Sequence, residues 1–196
     1  MANHSGIQLF VGLGNPGAQY EATRHNAGFW WIDQIAAENA CRLNHESKFF
    51  GDAGRFKSAD HEAWLLKPAT FMNKSGRAVA ALANFYKIPP EAILVIHDEL
   101  DLPAGSIKLK KGGGHGGHNG LKDIVACLGS NDFWRLRIGI DHPGDRNAVV
   151  NYVLNAPMKE EQRAIDEAID KSTAILPALL EGSMESAMLK LHTRTD

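Results

Sequence analysis

"LFVGLGNPGAQYEATRHNAGFWW", residues 9–31, decides how the chain is read. Gly12, Gly14 and Gly17 spell G-x-G-x-x-G directly after an apolar run, the pattern of a dinucleotide-binding turn. In that turn the third glycine opens a helix, and the pyrophosphate rests on the helix N-terminus. Here Asn15-Pro16-Gly17 is turn chemistry, and "AQYEATRHN" after it has no apolar period. Helical patterning starts only near Gly28. The acidic partner expected about 20 residues on would be Glu38, which lies inside that helical pattern and not at a strand end. A nicotinamide-type oxidoreductase is therefore the weaker reading. The segment reads instead as a strand, a tight turn, and a loop carrying Asn15, Tyr20, Arg24, His25 and Asn26 onto a helix start. Loops at strand ends are where α/β proteins place their sites. His25 is the member whose ordinary pKa lies nearest neutrality.

Outward from this stretch, runs rich in β-branched and aromatic residues predict strands at Ile7–Val11, Lys48–Phe56, Ala63–Leu66, Ile93–His97, Ser106–Lys110 and Leu136–Ile140. Helical spacing appears at Gly28–Ala40, Ser75–Tyr86, Leu121–Leu128, Glu160–Leu180 and Met184–His192, with Pro177 expected to interrupt the fourth. Strands alternate with helices, and some neighbours look like antiparallel hairpins. The expected fold is a single-domain α/β sandwich over residues 1–196, with a central mixed β-sheet flanked by helices and a flexible N-terminus at 1–6.

The chain has 196 residues, 44% hydrophobic and 22% charged, a composition that suits one domain with a sizeable core. No apolar run is long enough to span a bilayer, and the first residues lack a secretory pattern, so the expected compartment is the cytoplasm. Cys41 and Cys127 sit among apolar residues and read as buried free thiols. The net charge of −2 argues against a nucleic-acid partner, but the charge is uneven. Lys108, Lys110, Lys111, Lys122, Arg135 and Arg137 face only Asp123 and Asp132 in the same stretch, and a local basic face can grip phosphate on an acidic protein.

Three further polar clusters stand out. "KPATFMNKSG", 67–76, follows a strand and precedes a helix; Asn73 suits an N-cap there, with Phe71 and Met72 as core contacts. "ILVIHDELDLPAG", 93–105, puts His97, Asp98 and Glu99 at the end of a buried strand, where a carboxylate can orient a histidine. Asp98, Glu99 and Asp101 would also suit a hard cation, but the chain has no H-E-x-x-H motif or cysteine ligand set, and no metal is expected. "KLKKGGGHGGHNGLKD", 108–123, places lysines before a glycine-rich loop and a helix start at Asn119 after it, which favours phosphate or polar-ligand contact. His115 and His118 within it form only a two-histidine set.

Together "GLGNPGAQYEATRHNAG", "FMNKSG", "HDELDLPAG" and "GGGHGGHNGLKD" resemble the signature segments of the bacterial peptidyl-tRNA hydrolase family, in order and spacing, from about Ile7 to His192. The resemblance implies a monomeric cytoplasmic esterase without cofactor. Its substrate is peptidyl-tRNA: it cleaves the ester between a peptide and the 3′ ribose of tRNA, and so recycles tRNA from stalled translation. On the same basis His25 falls on the catalytic base, Asp98 on its supporting acid, and Asn15 on a position that separates blocked from free aminoacyl-tRNA. Tyr20, Phe71, Met72, Asn73, His118 and Asn119 fall on substrate-contacting positions. Lys108, Lys110 and Arg137 suit the acceptor-stem phosphate. Lys111 and Asp141 are small departures, and Asp141 is expected to weaken phosphate binding slightly. No serine or cysteine carries a companion motif, so water is the expected nucleophile. Asn15, Asn73 and Asn119 are all open as oxyanion donors. A non-catalytic acceptor-stem RNA-binding module remains the rival class.

Overall fold

The computed structural model describes residues 6–192. Among them lie seven strands: β1 (Leu9–Gly12), β2 (Asn44–Glu46), β3 (Gly51–Ser58), β4 (His61–Pro68), β5 (Ile93–Glu99), β6 (Ile107–Lys111) and β7 (Trp134–Gly139). They form one sheet in the order β2-β3-β4-β1-β5-β7-β6. β4, β1, β5 and β7 run parallel, while β2, β3 and β6 pair antiparallel to their neighbours. The sheet is mixed, as the sequence predicts.

The alternation of side chains sorts the core into two layers. Leu9 and Val11 of β1 and Ile93 and Val95 of β5 pack under α2 (Ser75–Phe85) and α3 (Asn119–Leu128). Phe10, Leu94 and Ile96 point the other way, against α1 (Ala27–Glu38), α5 (Lys159–Ser172), α6 (Leu176–Glu181) and α7 (Met184–His192). β1 and β5 are covered on both faces, which explains their unbroken apolar spelling.

The glycines after β1 serve this packing. A Cβ on Gly12 would lie 2.4 Å from the Gly28 carbonyl oxygen, and one on Gly28 would lie 2.3 Å from the Ile96 carbonyl oxygen. Helix α1 thus starts in backbone contact with β1 and β5. Two short 3-10 turns, Ala18–Tyr20 and Arg24–Asn26, separate Gly17 from that helix. A pyrophosphate cradle needs the helix to begin at the third glycine, so the dinucleotide reading fails on geometry.

Several expectations need correction. The segment Lys48–Phe56 is not one strand: Ser47–Phe49 forms a 3-10 turn and Phe50 adopts a left-handed φ of 52°, so β3 starts at Gly51. The long fourth helix breaks before Pro177 at a 3-10 turn, Thr173–Ile175; the proline sits in the first turn of α6, where its missing N–H costs nothing. A short helix α4 (Val149–Val153) and strand β2 escaped the sequence reading because each is shorter than the window over which a period can be recognised. Cys127 is exposed and Cys41 half-buried, so neither is a buried thiol. Of the predicted flexible N-terminus, residues 1–5 lie outside the described residues, whereas Gly6 is buried against the Leu180 carbonyl.

Candidate active site

The carboxyl ends of the four parallel strands open onto one crevice of about 600 Å³, lined by Asn15, His25, Phe71, Met72, Asn73, His97, Asp98, His118 and Asn119 among others. Each strand delivers one part: Asn15 follows β1, Phe71–Asn73 follow β4, Asp98 lies near the end of β5, and His142 follows β7. Asn119 opens α3.

Asp98 is the centre. It is 3% exposed, and its carboxylate takes His25 Nδ1 at 2.9 Å and His118 Nε2 at 2.9 Å. His118 Nδ1 accepts the backbone N–H groups of Gly120 and Leu121, capping α3, so its ring proton sits on Nε2 and points at Asp98. His25 donates from Nδ1, which leaves Nε2 as its basic nitrogen, with no hydrogen bond to any described residue. Burial pulls the pKa of His25 down, but the charge of Asp98 and their hydrogen bond outweigh it, and the net effect is a raised pKa. Burial also pushes Asp98 up, yet His25 and His118 together hold it well below the usual carboxylate range. His97 behind them donates Nδ1–H to the Asp98 carbonyl at 2.8 Å, and full burial depresses its pKa to about 3.

His25, Asp98 and His118 also form a trio close enough to share a metal ion. A zinc-like ion sits about 2.0–2.1 Å from each imidazole nitrogen. Here both nitrogens aim at carboxylate oxygens 2.9 Å away. An ion on either lone pair would fall about 1 Å from that oxygen, closer than any ligand atom sits to a metal. The trio is spaced for shared protons. The Asp98–Glu99–Asp101 set disperses: Glu99 turns to Arg137 Nε at 2.9 Å, and Asp101 is exposed.

Asn15 is buried and fixed at three points. Its N–H donates to Asn26 Oδ1 at 2.9 Å, its carbonyl accepts Asn26 Nδ2 at 3.0 Å, and its Oδ1 accepts the Met72 N–H at 2.7 Å. The Nδ2 donor is therefore the end presented to the crevice. Asn73 and Asn119 are exposed, and their side chains make no hydrogen bond among the described residues. Asn73 is thus not the N-cap of α2; that place belongs to Lys74. Met72 is buried as expected, but Phe71 is 59% exposed at the crevice, in edge contact with Tyr20, rather than a core residue.

Lys108 and Lys110 are exposed on β6, paired across the ladder with Arg137 and Arg135 of β7. Arg135 is buried and donates to the Gly114 carbonyl at 2.7 Å, holding the glycine-rich loop, so it is not a free surface cation.

The family model described as peptidyl-tRNA hydrolase matches residues 9–196. The chain belongs to the peptidyl-tRNA hydrolase family. A peptidyl-tRNA hydrolase of Methylobacillus flagellatus is 70% identical over 191 residues, covering 97% of this chain and 99% of that protein. One from Neisseria meningitidis serogroup C is 60% identical over 188 residues, covering 96% and 98%. The crystal structure of peptidyl-tRNA hydrolase from Acinetobacter baumannii superposes with a TM-score of 0.96 at 46% identity, covering 100% of this chain and 99% of that one. A peptidyl-tRNA hydrolase crystallised with N-propanol gives the same TM-score at 47% identity, with the same coverage. The four segments quoted at the outset supply the polar side of this crevice around His25 and Asp98.

Sequence reasoning missed several parts of the peptidyl-tRNA hydrolase crevice. Asn26 and Arg135 were named in the sequence, but not their role, which is to hold other parts in place. The apolar wall of Leu100, Val149, Val150, Val153 and Leu154 was also missed; its signal was the "VVNYVL" run after Ala148. No helix among the described residues is long and apolar enough to cross a membrane.

Proposed function

We propose that the chain carries out its family's hydrolysis of peptidyl-tRNA with water as nucleophile and His25 as general base. The observation that carries this reading is the free Nε2 of His25 on the crevice, with Nδ1 locked onto buried Asp98. Neutral Nε2 takes a proton from water as the hydroxide adds to the ester carbonyl. Asp98 keeps the ring in the required tautomer and stabilises the imidazolium that forms. Nδ2 of Asn15 and the unengaged amides of Asn73 and Asn119 are the donors available to the oxyanion and the adjacent peptide group. When the intermediate collapses, the ester C–O bond breaks and the imidazolium proton passes to the departing 3′ oxygen. The products are a peptide acid and tRNA with a free 3′ hydroxyl.

The apolar wall from Val149 to Leu154 takes the peptide, and Lys108, Lys110 and Arg137 take phosphate of the acceptor stem. The enzyme works as a cytoplasmic monomer. The deciding experiment is a pH–rate profile of Asp98→Asn against the parent on one N-blocked aminoacyl-tRNA. Loss of the carboxylate lowers the His25 pKa, so the acidic limb of kcat/KM moves to lower pH. The plateau falls by roughly 10–10³, because the tautomer is no longer fixed. A plateau within twofold of the parent's, with the limb unmoved, would show that the two residues do not act together.

A further inference from the structure

Arg24 precedes the catalytic base in the chain and is 6% exposed. Its guanidinium lies 3.8 Å over the Tyr152 ring. Nη1 donates to the Tyr152 carbonyl at 2.9 Å and to the Asn155 carbonyl at 3.3 Å, and Nη2 pairs with Glu161 Oε1 at 3.3 Å. The Arg24 backbone N–H adds a bond to the Asn155 carbonyl at 3.0 Å. Tyr152 and Asn155 stand at the C-terminal end of α4, where orphan carbonyls and the helix dipole both favour a cation. Glu161 Oε1 also accepts the Met158 N–H at 3.0 Å, at the start of α5. One side chain thus joins three elements: the turn that carries His25, the short helix that forms the apolar wall, and the helix that follows.

α4 is five residues long and cannot hold its own place. Tyr152 Oη adds a polar tie to the chain just past β7, donating to the Ile140 carbonyl at 2.6 Å. A buried guanidinium is a poor source of stability, because desolvation offsets its attraction. Nε of Arg24 even lacks a hydrogen-bond partner among the described residues. What the residue supplies is geometry.

We propose that Arg24 is a positioning residue that clamps the Val149–Leu154 wall to the catalytic turn, so that a peptide lying on the wall presents its ester in register with His25. This rests on the reading of His25 as base and of the wall as the peptide contact. The clamp acts only on substrates long enough to touch the wall. A residue needed merely for folding would affect every substrate alike.

The test compares the parent, Arg24→Met and Arg24→Lys on two substrates, N-acetylglycyl-tRNA and an N-acetylated leucine-rich pentapeptidyl-tRNA. Amide hydrogen exchange is followed without substrate. In Arg24→Met, kcat/KM on the pentapeptidyl substrate falls at least tenfold further than on the short one, and amides at 153–155 exchange at least tenfold faster while those of β5 do not change. Arg24→Lys falls between, since one ammonium cannot serve two carbonyls, a carboxylate and a ring together. Should Arg24→Met not fold, Arg24→Lys and Glu161→Gln carry the same comparison. Equal losses on both substrates, or unchanged exchange at 153–155, would overturn the proposal. His25→Asn, assayed alongside, judges the underlying reading separately: full activity there removes the base, and the proposal with it, whatever the exchange shows.

Discussion

Asn15 and Asn26 hold each other through two hydrogen bonds, Asn15 N–H to Asn26 Oδ1 at 2.9 Å and Asn26 Nδ2 to the Asn15 carbonyl at 3.0 Å. With Oδ1 of Asn15 occupied by the Met72 N–H, only the Nδ2 end can meet a substrate, and it can only donate. A donor there suits the carbonyl of a blocked amino group and repels the ammonium of a free one. Asn15→Asp keeps the acceptor for Met72 and replaces the donor with a second acceptor. Its kcat/KM on free aminoacyl-tRNA should rise roughly 10–100-fold relative to N-blocked aminoacyl-tRNA, the worth of one charge-assisted hydrogen bond. Paired assays on the two substrates measure this; an unchanged ratio removes the role.

How much of this was legible beforehand follows from the range of the interactions. The sheet's central strands were readable because β1 and β5 are buried on both faces and spell continuous apolar runs. His25 was readable because it lies in the polar loop between β1 and α1, and Asp98 because it lies near the end of a buried strand; the segments around both match a family pattern. The double hold between Asn15 and Asn26, the bond from Asn15 to Met72 and the sharing of Asp98 by two histidines join residues 11, 57, 73 and 20 positions apart. No local period encodes such contacts. Phe71 misled in the opposite direction: its apolar character suggested core, and the crevice keeps it in the open.

Backbone contact at the start of α1 makes Gly28 a stability position. An alanine Cβ there would press on the Ile96 carbonyl, which already accepts the Leu13 N–H at 3.0 Å. Overpacking of this kind costs about 1–3 kcal/mol. Thermal melting of Gly28→Ala should fall by roughly 2–12 °C. Gly114, whose ideal Cβ meets no described residue within 4 Å beyond its chain neighbours, is the control, and Gly114→Ala should melt with the parent. Matching midpoints in all three proteins would contradict the close approach.

Arg137 reaches phosphate only if it can turn from Glu99, its partner at 2.9 Å, whereas Lys110 is exposed and without an ion pair among the described residues. Lys110→Ala should raise KM for tRNA substrates and lower the log–log salt slope by roughly 0.7–0.9, one phosphate contact. Arg137→Ala should do the same by a smaller amount, because Glu99 already neutralises part of its charge. Measuring KM across a salt series checks both. Slopes equal to the parent's in both variants would place the acceptor stem on another face.

His97 gives the fold a pH dependence of its own. Buried and neutral, it has a pKa near 3 in place of the ordinary 6.5, so between these values the unfolded chain binds a proton that the folded chain refuses. Stability therefore falls as pH falls through that window, by roughly tenfold in the folding constant per pH unit. The neighbouring groups do not supply this slope. The raised pKa of His25 adds stability that is fully present below 6.5, and the depressed pKa of Asp98 adds stability that is lost only well below its ordinary 3.8. Arg135 and His118, the other groups acting on His97, oppose its protonation. His97→Asn keeps a donor for the Asp98 carbonyl and removes the titrating ring. Urea unfolding of both proteins at pH 6, 5 and 4 should show the parent losing about 100-fold more of its folding constant than the variant across the two units. Parallel loss in the two proteins would mean that His97 takes up its proton without unfolding.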